Sequence, residues 1–238
     1  MKKSILFSLS LFFVFTAVQS QIKLPKITAP GVKWESTYHF DKCNVFKVDF
    51  YAKNNELMRT LNYRTYYQSE GGDFSVKLMS DKKSQGLETV FDIKNEVAIQ
   101  IWGSGEVTKP YYNAGGFKYP VGNEIKKLEI SPTNETKQML GVNCKKYTYT
   151  YKKIFGEVWI TDQINLSNDF GIFRAAKMAS LHNTLSVGGF VMEMTTEDAK
   201  GGKTVMKTIS LKNDEKYTLN FGGVEMNTAI NKINYFTF

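Results

Sequence analysis

The side chains that could do chemistry are few: two histidines, two cysteines and scattered carboxylates. His39 and His182 stand at no ligand spacing from a Cys, Asp or Glu, so no metal site is expected. Gly103-Ser104-Gly105 lacks the glycine spacing of a nucleophile elbow. A Cys144–His182 dyad has no local motif behind it. Glu157, Asp162, Glu193 and Glu197 fall near predicted strand ends, but carboxylate-pair hydrolysis depends on their separation in space. No glycine-rich loop is placed to cradle phosphate. The expectation is a protein that binds and does not catalyse, with no cofactor.

The cysteines leave two readings open. Cys43 and Cys144 either close a disulfide, for which an oxidising compartment would be permissive, or are two separate buried thiols behaving as small apolar groups. Compartment follows from the N-terminus. Lys2 and Lys3 precede an apolar run from Ile5 to Val18, and Val18-Gln19-Ser20 supplies a cleavage site. The run is short for a membrane span, and no basic stop-transfer segment follows. Residues 1–20 are therefore expected to be a signal peptide cut after Ser20, leaving residues 21–238 as one β-rich domain in the periplasm or outside the cell. No cysteine near the cut could accept a lipid anchor. Cleavage removes Lys2 and Lys3 and lowers the formal charge from +8 to +6. That excess favours anionic partners, but the lysines are dispersed and form no nucleic-acid stripe.

Period-two alternation dominates the rest. In "NVFKVDFYAK", Phe46, Val48 and Phe50 share one face. "RTLNYRTYYQ" and "DFSVKLM" follow as strands. "LETVFDIK" and "EVAIQIW" read as a hairpin turning at Lys94 and Asn95. The pattern lapses from Gly103 to Gly122, which reads as a long loop, and "KKLEIS" is a short strand. Tyr147, Tyr149 and Tyr151 line one face of the next strand, and Val158 and Ile160 one face of its neighbour, with a turn near Lys153 to Gly156. Phe170, Phe173, Met178 and Leu181 have helical spacing, with Ser167 or Asn168 as N-cap. Strands resume with Phe190, Met192 and Met194 on one face, Val205, Ile209 and Leu211 on another, and Tyr217, Leu219 and Phe221 on a last one. About ten short strands and one helix predict a mainly β chain built on a large curved antiparallel sheet.

The stretch "ETKQMLGVNCKKYTYTYKKIFGEVWITD" resembles a secreted bacterial family of Bacteroidota type, domain of unknown function 4412. The resemblance is carried by Thr136, Gly141, Cys144, Lys146, Tyr147, Glu157, Val158, Trp159 and Thr161. "ETVFDIKNEVAIQIW" and "GFVMEMTTEDAKGGKTVMKTISL" are similar to two hairpins of that family. It implies an architecture like that of the LolA and LolB lipoprotein carriers, an incomplete antiparallel β-barrel around an apolar cavity with a short helical lid. Phe170 to Leu185 would be the lid. Phe46, Phe50, Ile99, Tyr149, Phe170, Phe173, Met192 and Met194 would line the cavity.

Two functions are therefore carried forward. One is a periplasmic or secreted protein that holds a lipid or other hydrophobic ligand in an apolar cavity. The other is a ligand-free structural or interaction module of the cell envelope, with a filled interior and a protein partner. Either is expected to be a monomer.

Overall fold

The structure, a computed structural model, describes residues 32–69, 72–79, 86–103, 110–116, 128–151, 153–164 and 189–228. The predicted helical lid lies outside the described residues. Thirteen strands run through the described chain: β1 Thr37–Phe40, β2 Lys42–Tyr51, β3 Leu57–Tyr67, β4 Phe74–Met79, β5 Leu87–Asp92, β6 Val97–Trp102, β7 Tyr111–Gly116, β8 Leu128–Met139, β9 Val142–Tyr151, β10 Ile154–Thr161, β11 Phe190–Asp198, β12 Lys203–Lys212 and β13 Tyr217–Asn220. Eleven form one antiparallel sheet in the order β7-β6-β5-β4-β3-β2-β12-β11-β10-β9-β8, and β1 pairs with β13 in a separate ribbon. The sheet is open, with β7 and β8 as its edges.

Two meanders make this sheet. One runs from β2 to β7 and the other from β8 to β12, and the long-range pairing of β12 with β2 joins them, Met206 opposite Val48. Alternation decides which face each residue takes. One cluster holds Phe46, Val48, Phe74, Val76, Phe91, Val158, Met194 and Met206. A second holds Cys43, Tyr66, Val90, Ile99 and Ile101 against Tyr38, Phe40 and Phe221 of the ribbon segments. Strand β5 contributes to both, Phe91 to the first and Val90 to the second, and all six of its residues are buried.

Several elements depart from the sequence pattern. Strand β7 lies inside the stretch expected to be a loop; its Asn-Ala-Gly-Gly run reads as a breaker, yet Ala114 is fully buried against the ribbon cluster. Strand β8 runs twelve residues where a short strand was expected. Pro132 and the polar residues after it are absorbed by a bulge, seen as a register shift between Pro132 and Thr136. The β9–β10 turn ends before Ile154, so Gly156 is within a strand. In β12 Met206 and Thr208 take the buried face and Ile209 is exposed, and the shift between Thr208 and Ser210 brings Leu211 round to the buried face. The β8–β9 connection is a two-residue turn at Leu140 and Gly141, both with positive φ (50° and 84°), as the twist of a tight hairpin demands.

Candidate binding surfaces

The residues proposed to line a cavity separate into three groups. Phe46 of β2, Tyr149 of β9, and Met192 and Met194 of β11 belong to the first cluster, with Phe50 half-buried at its margin. Phe46 stacks on Tyr63 with ring centroids 5.1 Å apart. Ile99 packs in the second cluster, because β6 presents Ala98 to the first face and Val97, Ile99 and Ile101 to the ribbon. Phe170 and Phe173 lie outside the described residues. Phe46, Met192 and Met194 are at most 1% exposed and Tyr149 3%, so their surroundings leave almost no gap of a water molecule's width.

Both cysteines are free and buried. Cys43 packs against the ribbon and Cys144 belongs to the other cluster. Their strands are four places apart in the sheet, about 19 Å along a flat sheet at ~4.8 Å per strand, well beyond the Cα separation a disulfide spans. Of the two readings, the structure takes the one with separate thiols. Burial pushes the Cys43 thiol up to about 11, against the pull of Arg64. Burial also raises that of Cys144, with Lys137 pulling the other way. Neither is an activated nucleophile as it stands. His39 is exposed, its Nδ1 3.0 Å from the Thr218 hydroxyl; His182 and Ser104 lie outside the described residues. Among the described residues no group of three or more His, Cys, Asp or Glu could hold a metal ion.

Of the carboxylates singled out by position, Glu157, Glu193 and Glu197 pair with lysines, and Asp162 lines a recess beside them. Glu193 of β11, opposite Trp159 of β10, receives Lys137 at 3.0 Å and Lys207 at 3.7 Å. Lys137 Nζ also lies 4.1 Å from the Trp159 ring centroid, and Lys146 Nζ 5.8 Å from it. Lys146 in turn reaches Glu157 at 2.9 Å and Glu135 at 3.0 Å, and these two carboxylates raise its ammonium pKa. Glu197 approaches Lys203 at 3.9 Å. These three glutamates balance lysines. The recess, of about 560 Å³, is lined by Lys137, Gln138, Asn143, Cys144, Tyr147 and Asp162 among others. A second, about 570 Å³, is lined by residues including His39, Asp41, Ser69 and Lys216.

Sequence reasoning missed the polar groups beneath the ribbon. Glu88, second in β5, is buried and accepts hydrogen bonds from Ser75 Oγ (2.6 Å) and the Tyr217 hydroxyl (2.9 Å), with Lys77 Nζ 3.6 Å away. Asp92 accepts from the Tyr38 hydroxyl at 2.7 Å. Tyr66 stacks on Tyr217 at 3.8 Å. Each ribbon strand is thus fixed to β5 by one tyrosine–carboxylate bond. The signal available was a carboxylate on either side of Val90 on one face of β5, at Glu88 and Asp92.

No family model matches the chain, and no curated protein does. Among solved structures, two of PNGF-II, in space groups C2 and P21, share 16% and 15% identity with it at TM-scores of 0.37 and 0.39. They cover 78% and 79% of this chain, which spans about a third (31%) of the length of each.

Proposed function

We propose that this chain is a secreted interaction module of the cell envelope, acting by binding and without catalysis, its interior filled by its own side chains. The finer architecture belongs to the same proposal: the open sheet is an incomplete barrel, closed over by the segment from Phe170 to Leu185. Its support is topological, since the two edge strands β7 and β8 are consecutive in sequence, as they would be in a meander that curls toward closure. Secretion rests on the signal-like N-terminus.

The observation that carries the functional reading is the packing of the first cluster. Phe46, Phe190, Met192, Met194 and Met206 are 0–1% exposed. A carrier of acyl chains would need these same side chains to stand around an open space. Native mass spectrometry of the mature protein, purified from periplasm without detergent and followed by organic extraction, tests this. The polypeptide mass alone is expected. A reproducible added mass that extracts as lipid would overturn the filled interior and return the carrier.

A further inference from the structure

The two ends of the sheet differ. At one end the chain turns between Tyr51 and Leu57, between Tyr151 and Ile154, and between Asp198 and Lys203. Six of the eight large apolar residues that are exposed among the described ones sit at strand termini on this side: Leu57 and Met58 start β3, Met79 ends β4, Trp102 ends β6, Tyr111 starts β7 and Phe155 is second in β10. Their exposures run from 40% to 65%. Trp102 and Tyr111 are direct cross-strand partners. Of the other two, Leu140 is in a turn at the opposite end and Ile209 in the β12 bulge. Single exposed apolar residues need no explanation, but gathering at one end does.

The charges at this end are arranged with them. Lys53, Arg59, Lys153 and Lys200 are exposed and have no ion-pair partner among the described residues. Of the carboxylates nearby, Asp198 accepts from the backbone N–H groups of Lys200 and Gly202, Glu56 accepts from the Asn54 amide, and Glu197 approaches Lys203, while Glu129, second in β8, is exposed. A methyl group built on Gly201 would lie 3.0 Å from Lys53 Cγ, so the β2–β3 and β11–β12 tips touch. Apolar side chains, an exposed Trp and Tyr, and unpaired cations at one end match the layers of a bilayer surface: acyl boundary, carbonyl level and anionic headgroups.

We propose that this end docks on an anionic phospholipid surface, with Met58 and Phe155 entering the headgroup boundary and Lys53, Lys153 and Lys200 facing lipid phosphates. The inference names a partner for the binding function above and rests on it. The test is co-sedimentation of the mature protein with phosphatidylcholine vesicles, with and without phosphatidylglycerol. Partition is expected with phosphatidylglycerol, falling as salt rises, and little without it. Lys53→Gln with Lys200→Gln should lower partition roughly thirtyfold, from about fivefold for each lysine beside an anionic surface. Met58→Ser with Phe155→Ser should lower it as well, whereas Lys216→Gln and Leu140→Ser, remote from these tips, should not. No partition with phosphatidylglycerol, or partition that the tip variants leave unchanged, overturns the proposal. So does a vesicle-free dimer that Met58→Ser dissolves, which would assign this end to a second copy of the chain. A lipid adduct in the native mass with vesicle partition intact would sink the filled interior and leave docking standing; a clean mass without partition does the reverse.

Discussion

Gly156 is where a single methyl group should do most damage. It sits in β10 between Thr196 of β11 and Tyr149 of β9. A Cβ built there falls far inside van der Waals contact distance of the Thr195 carbonyl oxygen and 3.0 Å from the Tyr149 hydroxyl. The missing side chain lets Tyr149 cross over β10 and reach β11, where its hydroxyl lies 2.6 Å from Thr196 Oγ1 and 3.3 Å from the Thr195 carbonyl. Its φ is not in the left-handed region, so the requirement is steric and not conformational. The main obstacle to Gly156→Ala is backbone in the middle of a paired ladder, which no rotamer change can clear. The cost should therefore reach the upper part of the overpacking range, about 3 kcal/mol, or a fall in Tm of about 6–12 °C for a chain of this size. Urea unfolding followed by tryptophan fluorescence should show a lower midpoint with an unchanged slope. Tyr149→Phe should cost about 1–2 kcal/mol, through the lost bonds of a buried hydroxyl, and should not rescue Gly156→Ala. A loss below about 0.5 kcal/mol for Gly156→Ala, or full rescue by Tyr149→Phe, would refute the steric reasoning.

The thiol arrangement is checked by counting. A thiol reagent should find neither Cys43 nor Cys144 accessible in the native protein and both after denaturation without reductant; no free thiol after denaturation would mean a disulfide. Alkaline stability follows from burial. It raises the Tyr67 and Tyr149 phenols to about 12 and the Cys43 thiol to about 11, so between pH 9 and 12 the folded state holds protons that the unfolded chain has released. Stability should be level below the ordinary thiol and phenol values and decline through this window, by up to about 3 kcal/mol for each tyrosine. In a pH titration the last part of the phenolate absorbance should appear together with the loss of native circular dichroism. Loss of phenolate signal near pH 10 in the folded protein on Tyr67→Phe or Tyr149→Phe would show that ring to be accessible.

The strands were legible where side chains alternate in size and polarity. Phe46 and Val48, Phe74 and Val76, and Val158 and Ile160 all point where period two puts them. The misreadings have separate physical causes. In β7 the buried side chains are small because the ribbon lies close, so Ala114 and the glycines carried no apolar signal. Bulges insert two extra residues in β8 and one in β12, and a bulge is set by the partner strand. This is why Leu211 packs on the face of Met206 and not on that of Val205 and Ile209. Glu88 reads as an outward charge in isolation. It is inward because Tyr217, 129 residues further on, closes over it.

The same limit applies to the proposed cavity. Alternation assigns a residue to a face, but both faces of the β2–β7 half are buried, one in the first apolar cluster and one beneath the ribbon. Period two therefore cannot distinguish Phe46 from Ile99, each regular on its strand and each nearly inaccessible. What separates them is that β1 and β13, from opposite ends of the described chain, pair with each other and settle on one side. The apolar end of the sheet was hidden for a related reason. Leu57, Met58 and Phe155 look like ordinary strand residues, and their exposure follows from hairpin lengths and strand order. The pairing of β12 with β2 brings the β2–β3 and β11–β12 tips together, and so places lysines and apolar residues from distant parts of the sequence on one surface.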